Sequence, residues 1–139
     1  MCNYIHIFVT SFEYNAMFNR DFISITQLLQ VFPDEQACIE HLEKLRWGKG
    51  IVSPFDSASI VYKCKNNRYR CKNTGKYFNV KTNTIFDGTK VGLQKWFIAI
   101  WITLQDKDIT SIQLAHDINV TQKTAWSMQQ KIKIILNME

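Results

Sequence analysis

Apolar positions recur along this chain with two different periods, and the period changes twice. From Phe22 to Phe32 they fall at Ile25, Leu28, Leu29 and Phe32, one face of a helix, with Ser24 placed to cap its start and Pro33 to end it. Asp34 then caps a second helix over Glu35–Leu45, whose stripe Cys38, Leu42 and Leu45 is spaced i, i+4, i+7. Cys38 on that stripe reads as a small buried hydrophobe, and His41 beside it as a surface histidine. Trp47-Gly48-Lys49-Gly50 breaks the helix, and the signal turns to β. Strands are expected over Ser59–Cys64, Tyr69–Lys72 and Lys76–Val80, separated by turns at Asn66-Asn67 and Asn73-Thr74-Gly75. Helix returns at Leu93–Gln105, apolar almost all round and so expected at the centre of the core.

The last forty residues carry the pattern of two helices joined by a tight turn. Thr110 or Ser111 caps a short helix bearing Ile112, Leu114, Ala115 and Ile118. Asn119 occupies the turn, where a left-handed backbone is needed and Asn tolerates it. Thr121 caps a further helix to about Leu136, on which Trp126, Gln129, Ile132 and Leu136, joined by Ile135, are expected to face inward. Ala115, Val120 and Ala125 fill the joint. This is the arrangement of a helix-turn-helix, whose second helix reads base edges in the major groove. Its outward side would present Gln122, Lys123, Ser127, Gln130, Lys131 and Lys133. Glutamine can bond adenine, and lysine guanine or phosphate. The expected organisation is α+β: an extension over 1–21 with a possible strand at Tyr4–Val9, helices over 22–50, a small antiparallel β meander over 51–90, and the helical region with its helix-turn-helix over 91–139.

Charge supports the same reading through its placement. The 139 residues have a net charge of +5. Met1–Glu40 holds one base and five acids, whereas Ser57–Lys90 holds eight bases and one acid. Those bases include Lys63, Lys65, Arg68, Arg70, Lys72 and Lys76, interleaved with Tyr62, Tyr69, Tyr77 and Phe78. Cations alternating with rings suit a polyanion with stackable bases. A row of lysines guarding a sheet edge would produce part of that pattern too. No acid lies between Thr121 and Met138. The four cysteines match no disulfide framework, no signal-peptide pattern precedes them, and the apolar run Trp96–Leu104 is too short to span a bilayer. A cytoplasmic protein with reduced thiols is expected. No nucleophile motif or paired-carboxylate site stands out, so the chain is not expected to be an enzyme.

Phe32-Pro33-Asp34-Glu35-Gln36-Ala37-Cys38, Leu45-Arg46-Trp47, Tyr69-Arg70-Cys71, Lys76–Val80, Thr84-Ile85-Phe86, Lys95-Trp96-Phe97 and Thr124-Ala125-Trp126 occur in that order. Together they resemble the N-terminal half of insertion-sequence transposases that open with a transposase zinc-ribbon domain. The resemblance spans about Phe22 to Leu136. It implies a ribbon whose two Cys-x-x-Cys knuckles hold a tetrahedral zinc, followed by a DNA-binding helix-turn-helix and then a metal-dependent nuclease. The knuckles align with Ser53-Pro54-Phe55-Asp56 and Cys71-Lys72-Asn73-Thr74, leaving one thiolate of four. No structural zinc is therefore expected, and Phe55, Tyr69, Phe78 and Phe86 are expected to hold the ribbon by packing. The chain ends at Glu139, before any nuclease, so the resemblance implies a targeting half that binds DNA or RNA. Two other functions fit the same residues. One is an inhibitor of the anti-CRISPR type, carried by a phage or mobile element, that occupies a host nuclease or its guide RNA. The other is a dimerisation fragment using the Trp96–Leu104 helix.

Overall fold

A computed structural model describes Phe18 and residues 22–136. The expected strand Tyr4–Val9 lies outside them. Among the described residues there are five helices and one three-stranded sheet, an α+β fold. In chain order these are α1 (Ile25–Val31), α2 (Glu35–Trp47), β1 (Val61–Lys63), β2 (Tyr69–Cys71), β3 (Tyr77–Phe78), α3 (Leu93–Gln105), α4 (Ser111–Ile118) and α5 (Gln122–Leu136). None of these helices is long and apolar enough to cross a membrane.

The helices start where side-chain oxygens can take up free N–H groups. Ser24 accepts from Gln27 N, Asp34 from Ala37 N and Thr110 from Gln113 N. Thr121 Oγ1 accepts from Thr124 N at 3.2 Å at the start of α5. The N-cap of α3 is Gly92, which has no side chain to offer. Glu35 Oε1, from the first turn of α2, takes the Leu93 N–H instead at 2.8 Å. The end of α1 is tied down in the same way, with Gln94 Nε2 donating to Phe32 O at 2.8 Å.

The sheet is an antiparallel meander in the order β1-β2-β3. Asn66 and Asn67 have φ of 59° and 60°, as a two-residue type I′ hairpin requires, and Gly75 takes φ 72° in the second turn. The strands are two or three residues long, shorter than the sequence pattern suggests, because these turns and the loops beside them take up the flanking residues. So small a sheet needs cover. Tyr69 and Phe78 stack at 5.7 Å and meet Trp47 of α2 edge-on at 5.5 and 5.9 Å. The Tyr69 hydroxyl donates to Glu43 Oε2, and burial together with that carboxylate pushes its pKa up to about 12.

One hydrophobic cluster joins ribbon and helices. At its centre α3 buries Leu93, Trp96, Phe97, Ala99, Ile100 and Ile102 within the chain itself, as a helix apolar on most sides must. Its side chains are therefore used internally, which removes the basis for a dimerisation helix. Phe18, just ahead of the helical segment, is 4% exposed and meets Phe97 edge-on at 5.7 Å. Two residues of α2 depart from expectation. His41 is half-buried between the rings of Phe32 and Phe97, at 4.9 and 6.0 Å, because it lies next to Leu42 on the face that meets α3. Leu45 is exposed, and Trp47 takes the last inward position of α2. Phe55, though exposed, packs edge-on against Phe78 at 6.3 Å as expected, with the Lys76 ammonium 5.2 Å from its ring centre.

Candidate nucleic-acid interface

Two basic surfaces come out of this packing. The first is the outer face of the ribbon. The register sets Tyr62 opposite Arg70 and Arg70 opposite Tyr77, so the three side chains form one row across the strands. All three are exposed, while Tyr69, Cys71 and Phe78 point inward, as the two-residue period of a strand dictates. The guanidinium of Arg68 lies 4.2 Å from the Tyr77 ring centre. Lys63, Lys65, Lys72 and Lys76 are exposed around this row. The ribbon thus presents a stripe of cations and ring faces, able to meet both phosphates and unpaired bases.

The second surface is the outward side of α5. Asn119 adopts the left-handed conformation, φ 56° and ψ 59°, and joins α4 to α5. Leu114, Ala115 and Ile118 of α4 and Ala125 of α5 are buried, and Val120 packs against the same cluster. The inward stripe of α5 is Ala125, Met128, Gln129, Ile132, Ile135 and Leu136. Gln129, 5% exposed, donates to Ile109 O at 2.9 Å and so ties the loop before α4 to α5.

Gln122, Lys123 and Ser127 are all exposed on the opposite side of α5, and Gln130 and Lys131 border it half-exposed. Gln122 Nε2 reaches Ser111 Oγ of α4 at 3.4 Å. Trp126, expected inside, is 57% exposed. It follows Ala125 by 100° of helix rotation, which carries it out of the buried stripe and onto the polar side between Lys123 and Gln130. Met128, three residues after Ala125 and four before Ile132, is the sequence signal that sets this phase. Ile112 of α4 is likewise exposed, at 66%.

Lys123, Ser127 and Lys131 also form one wall of a cleft of about 330 Å³, and Thr89, Lys90 and Val91 form the other. Trp96 and Met128 also line it, and Trp96 Nε1 donates to Thr89 Oγ1 at 3.1 Å. Lys90, Lys123 and Lys131 therefore line one groove, a concentration of positive charge able to attract an anion. Lys90 belonged to the basic run in sequence, but nothing in its spacing linked it to α5. The α3 helix between them makes that link.

The turns at Ser53–Asp56 and Cys71–Thr74 carry few donors suited to a metal. Ser53 and Thr74 offer neutral hydroxyls, and Asp56 already accepts from Asn73 Nδ2 at 2.8 Å and Ala58 N at 3.0 Å. Among the described residues no group of three or more His, Cys, Asp or Glu side chains is gathered for a metal. This donor set does not fit a structural zinc, which takes four ligands, usually thiolate or imidazole.

No protein-family model matches the chain, and no solved structure matches it. It is 32% identical over 108 residues to an uncharacterized protein in transposable element ISH50 of Halobacterium salinarum, a match covering 74% of this chain and 36% of that protein. The chain thus spans about a third of the length of the curated relative it matches, and it is similar to a protein carried by a mobile element.

Proposed function

We propose that this chain binds nucleic acid, duplex DNA first, as the targeting part of a transposase-derived protein acting in the cytoplasm, and that it performs no catalysis itself. In this reading α4 and α5 form a helix-turn-helix. Gln122, Lys123, Trp126 and Ser127, near the start of α5, face base edges in the major groove, while Gln130 and Lys131 reach the adjacent backbone. The ribbon stripe of Lys63, Lys65, Arg68, Arg70, Lys72 and Lys76 grips flanking phosphates.

The observation that carries this reading is the outward face of α5. It is free of acids, not used for internal packing, and edged by the cleft that adds Lys90. Its kinship with a mobile-element protein supports DNA as the partner, since the ends of such an element are DNA. No observation favours an inhibitor of a host nuclease.

The test is fluorescence-anisotropy binding of the purified chain to duplex DNA, single-stranded DNA and RNA across a salt series. Duplex binding is expected to weaken steeply as salt rises. The Lys123→Ala/Lys131→Ala variant is expected to bind more weakly, with its salt slope reduced by about 1 because the Lys131 phosphate contact is gone. Equal affinity of variant and wild type would reject α5 as the contact. Tighter binding to RNA than to duplex would transfer the function to the ribbon face.

A further inference from the structure

In and beside β2 the cations fall on alternate positions. Arg68, Arg70 and Lys72 are exposed while Tyr69 and Cys71 between them are buried, so the three stand on one face of the ribbon. The register sets Tyr62 on one side of Arg70 and Tyr77 on the other. These two tyrosines lie on the edge strands, 42% and 52% exposed, and with strands about 4.8 Å apart their backbones are roughly 10 Å from each other. Neither belongs to the hydrophobic cluster.

The cations of this face are not neutralised. Neither ion pair among the described residues includes Arg68, Arg70 or Lys72. Asp87, the one acid between Ser57 and Lys90, lies beyond the ribbon and accepts from Asn83 N at 3.0 Å. The Arg68 guanidinium is 4.2 Å from the Tyr77 ring centre, yet Tyr77 keeps half its surface open. That contact orients the ring and leaves it accessible.

Cations alone would suit paired or unpaired nucleic acid, because both expose phosphates. The rings distinguish the two. In a duplex the base faces are stacked on one another, and its outside offers a ring only sugar and phosphate. An unpaired base has a free face, which tyrosine rings and guanidinium planes can cover. Two tyrosines held out of the core on either side of a row of cations match that chemistry.

We propose that the outer face of the ribbon is a binding site for single-stranded DNA, with Tyr62 and Tyr77 stacking on bases and Arg68, Arg70 and Lys72 holding the phosphates. The choice of DNA rests on the function proposed above, whereas the strand form and the stacking residues do not. The face shares no residue with the surface of α5, so the duplex contact and the single-strand contact can be removed one at a time.

The experiment measures anisotropy of the full chain with a short fluorescent oligothymidine, the same oligomer with abasic sites in place of its bases, an oligouridine of equal length, and a duplex. Wild type is expected to bind oligothymidine more tightly than the abasic oligomer by a factor of about ten or more, the effect of stacking. Tyr62→Ala/Tyr77→Ala is expected to lose that factor on oligothymidine and to keep its duplex affinity. Tyr62→Phe/Tyr77→Phe, which retains the rings, is expected to bind as wild type does. Lys123→Ala/Lys131→Ala is expected to weaken the duplex arm alone, so failure of the α5 contact shows there and failure of the ribbon site in the oligothymidine arm. Equal wild-type affinity for oligothymidine and the abasic oligomer overturns the proposal, with no variant needing to fold. An alanine double variant that binds oligothymidine as wild type does overturns it too. So does one that keeps the wild-type melting temperature but weakens duplex and single strand alike. Tighter binding of oligouridine than of oligothymidine overturns the choice of DNA.

Discussion

Gln129 is a polar residue in a hydrophobic stripe, and its amide bond to Ile109 O explains why it is tolerated there. Gln129→Leu would leave that carbonyl without its partner. It should cost about 1–3 kcal/mol in urea unfolding, the usual penalty for an unsatisfied buried group. Trp126 is the opposite case, a large apolar residue on a polar surface. Trp126→Ala is expected to leave Tm within about 2 °C, because little packing is lost, while weakening duplex binding at least several-fold in the anisotropy assay. The two buried thiols show how surroundings decide ionisation. Burial, reinforced by Glu35 and Asp34, pushes Cys38 up to about 12. Burial also raises Cys71, but the Ser53, Ser59 and Thr74 hydroxyls and the Thr74 N–H outweigh it and bring the thiol down to about 6. A folded-state pKa below the unfolded value stabilises above the unfolded value and loses that effect as pH falls through the folded one. Stability should therefore rise between about pH 6 and the ordinary thiol value of 9.0, and Cys71→Ser should flatten the rise in a series of thermal melts.

At the scale of elements, the joint between α4 and α5 depends on one backbone conformation. Asn119 supplies the left-handed residue, and Val120 N closes the end of α4 on Ala115 O at 3.0 Å. Asn119→Gly should be nearly neutral. Asn119→Val should cost about 1–2 kcal/mol, because a β-branched residue resists positive φ, and chemical denaturation of the two variants separates them. The start of α3 illustrates a dependence between distant elements. Its cap is Glu35, on α2, and the same carboxylate lies 3.6 Å from the Lys81 ammonium. Arg46, also of α2, donates to Val80 O at 2.9 Å and Thr82 O at 2.7 Å, and burial lowers its pKa to about 10 despite the opposing pull of Asp87. Helix α2 thus fastens the loop after the ribbon.

Across the whole molecule, α3 connects the two basic surfaces. Phe97 is fully buried and touches Phe18, Phe32 and His41. Phe97→Ala should cost about 3–5 kcal/mol, from lost transfer energy and the cavity left behind. In a chain this size that is a large share of total stability, so duplex binding should fail together with helical circular dichroism rather than before it. A charge variant such as Lys123→Ala should show the reverse, with the dichroism intact and the affinity reduced. Comparing the two separates loss of fold from loss of contact.

Local signals determined a great deal. The caps at Ser24, Asp34, Thr110 and Thr121, the hairpin at Asn66-Asn67, the left-handed Asn119 and the central place of α3 are all legible in sequence. Each depends on one residue's own conformational preference or on a run of apolar positions. Other features required the tertiary structure. The outward turn of Trp126 depends on which stripe of α5 finds the core, and the enclosure of His41 on how α2 meets α3. The cleft joining Lys90 to Lys123 and Lys131, the cap that Glu35 lends to α3 and the bond from Asn73 to Asp56 all join residues far apart in the chain. The one-dimensional pattern shows which side chains want burial or a partner. Only packing decides which partner is within reach.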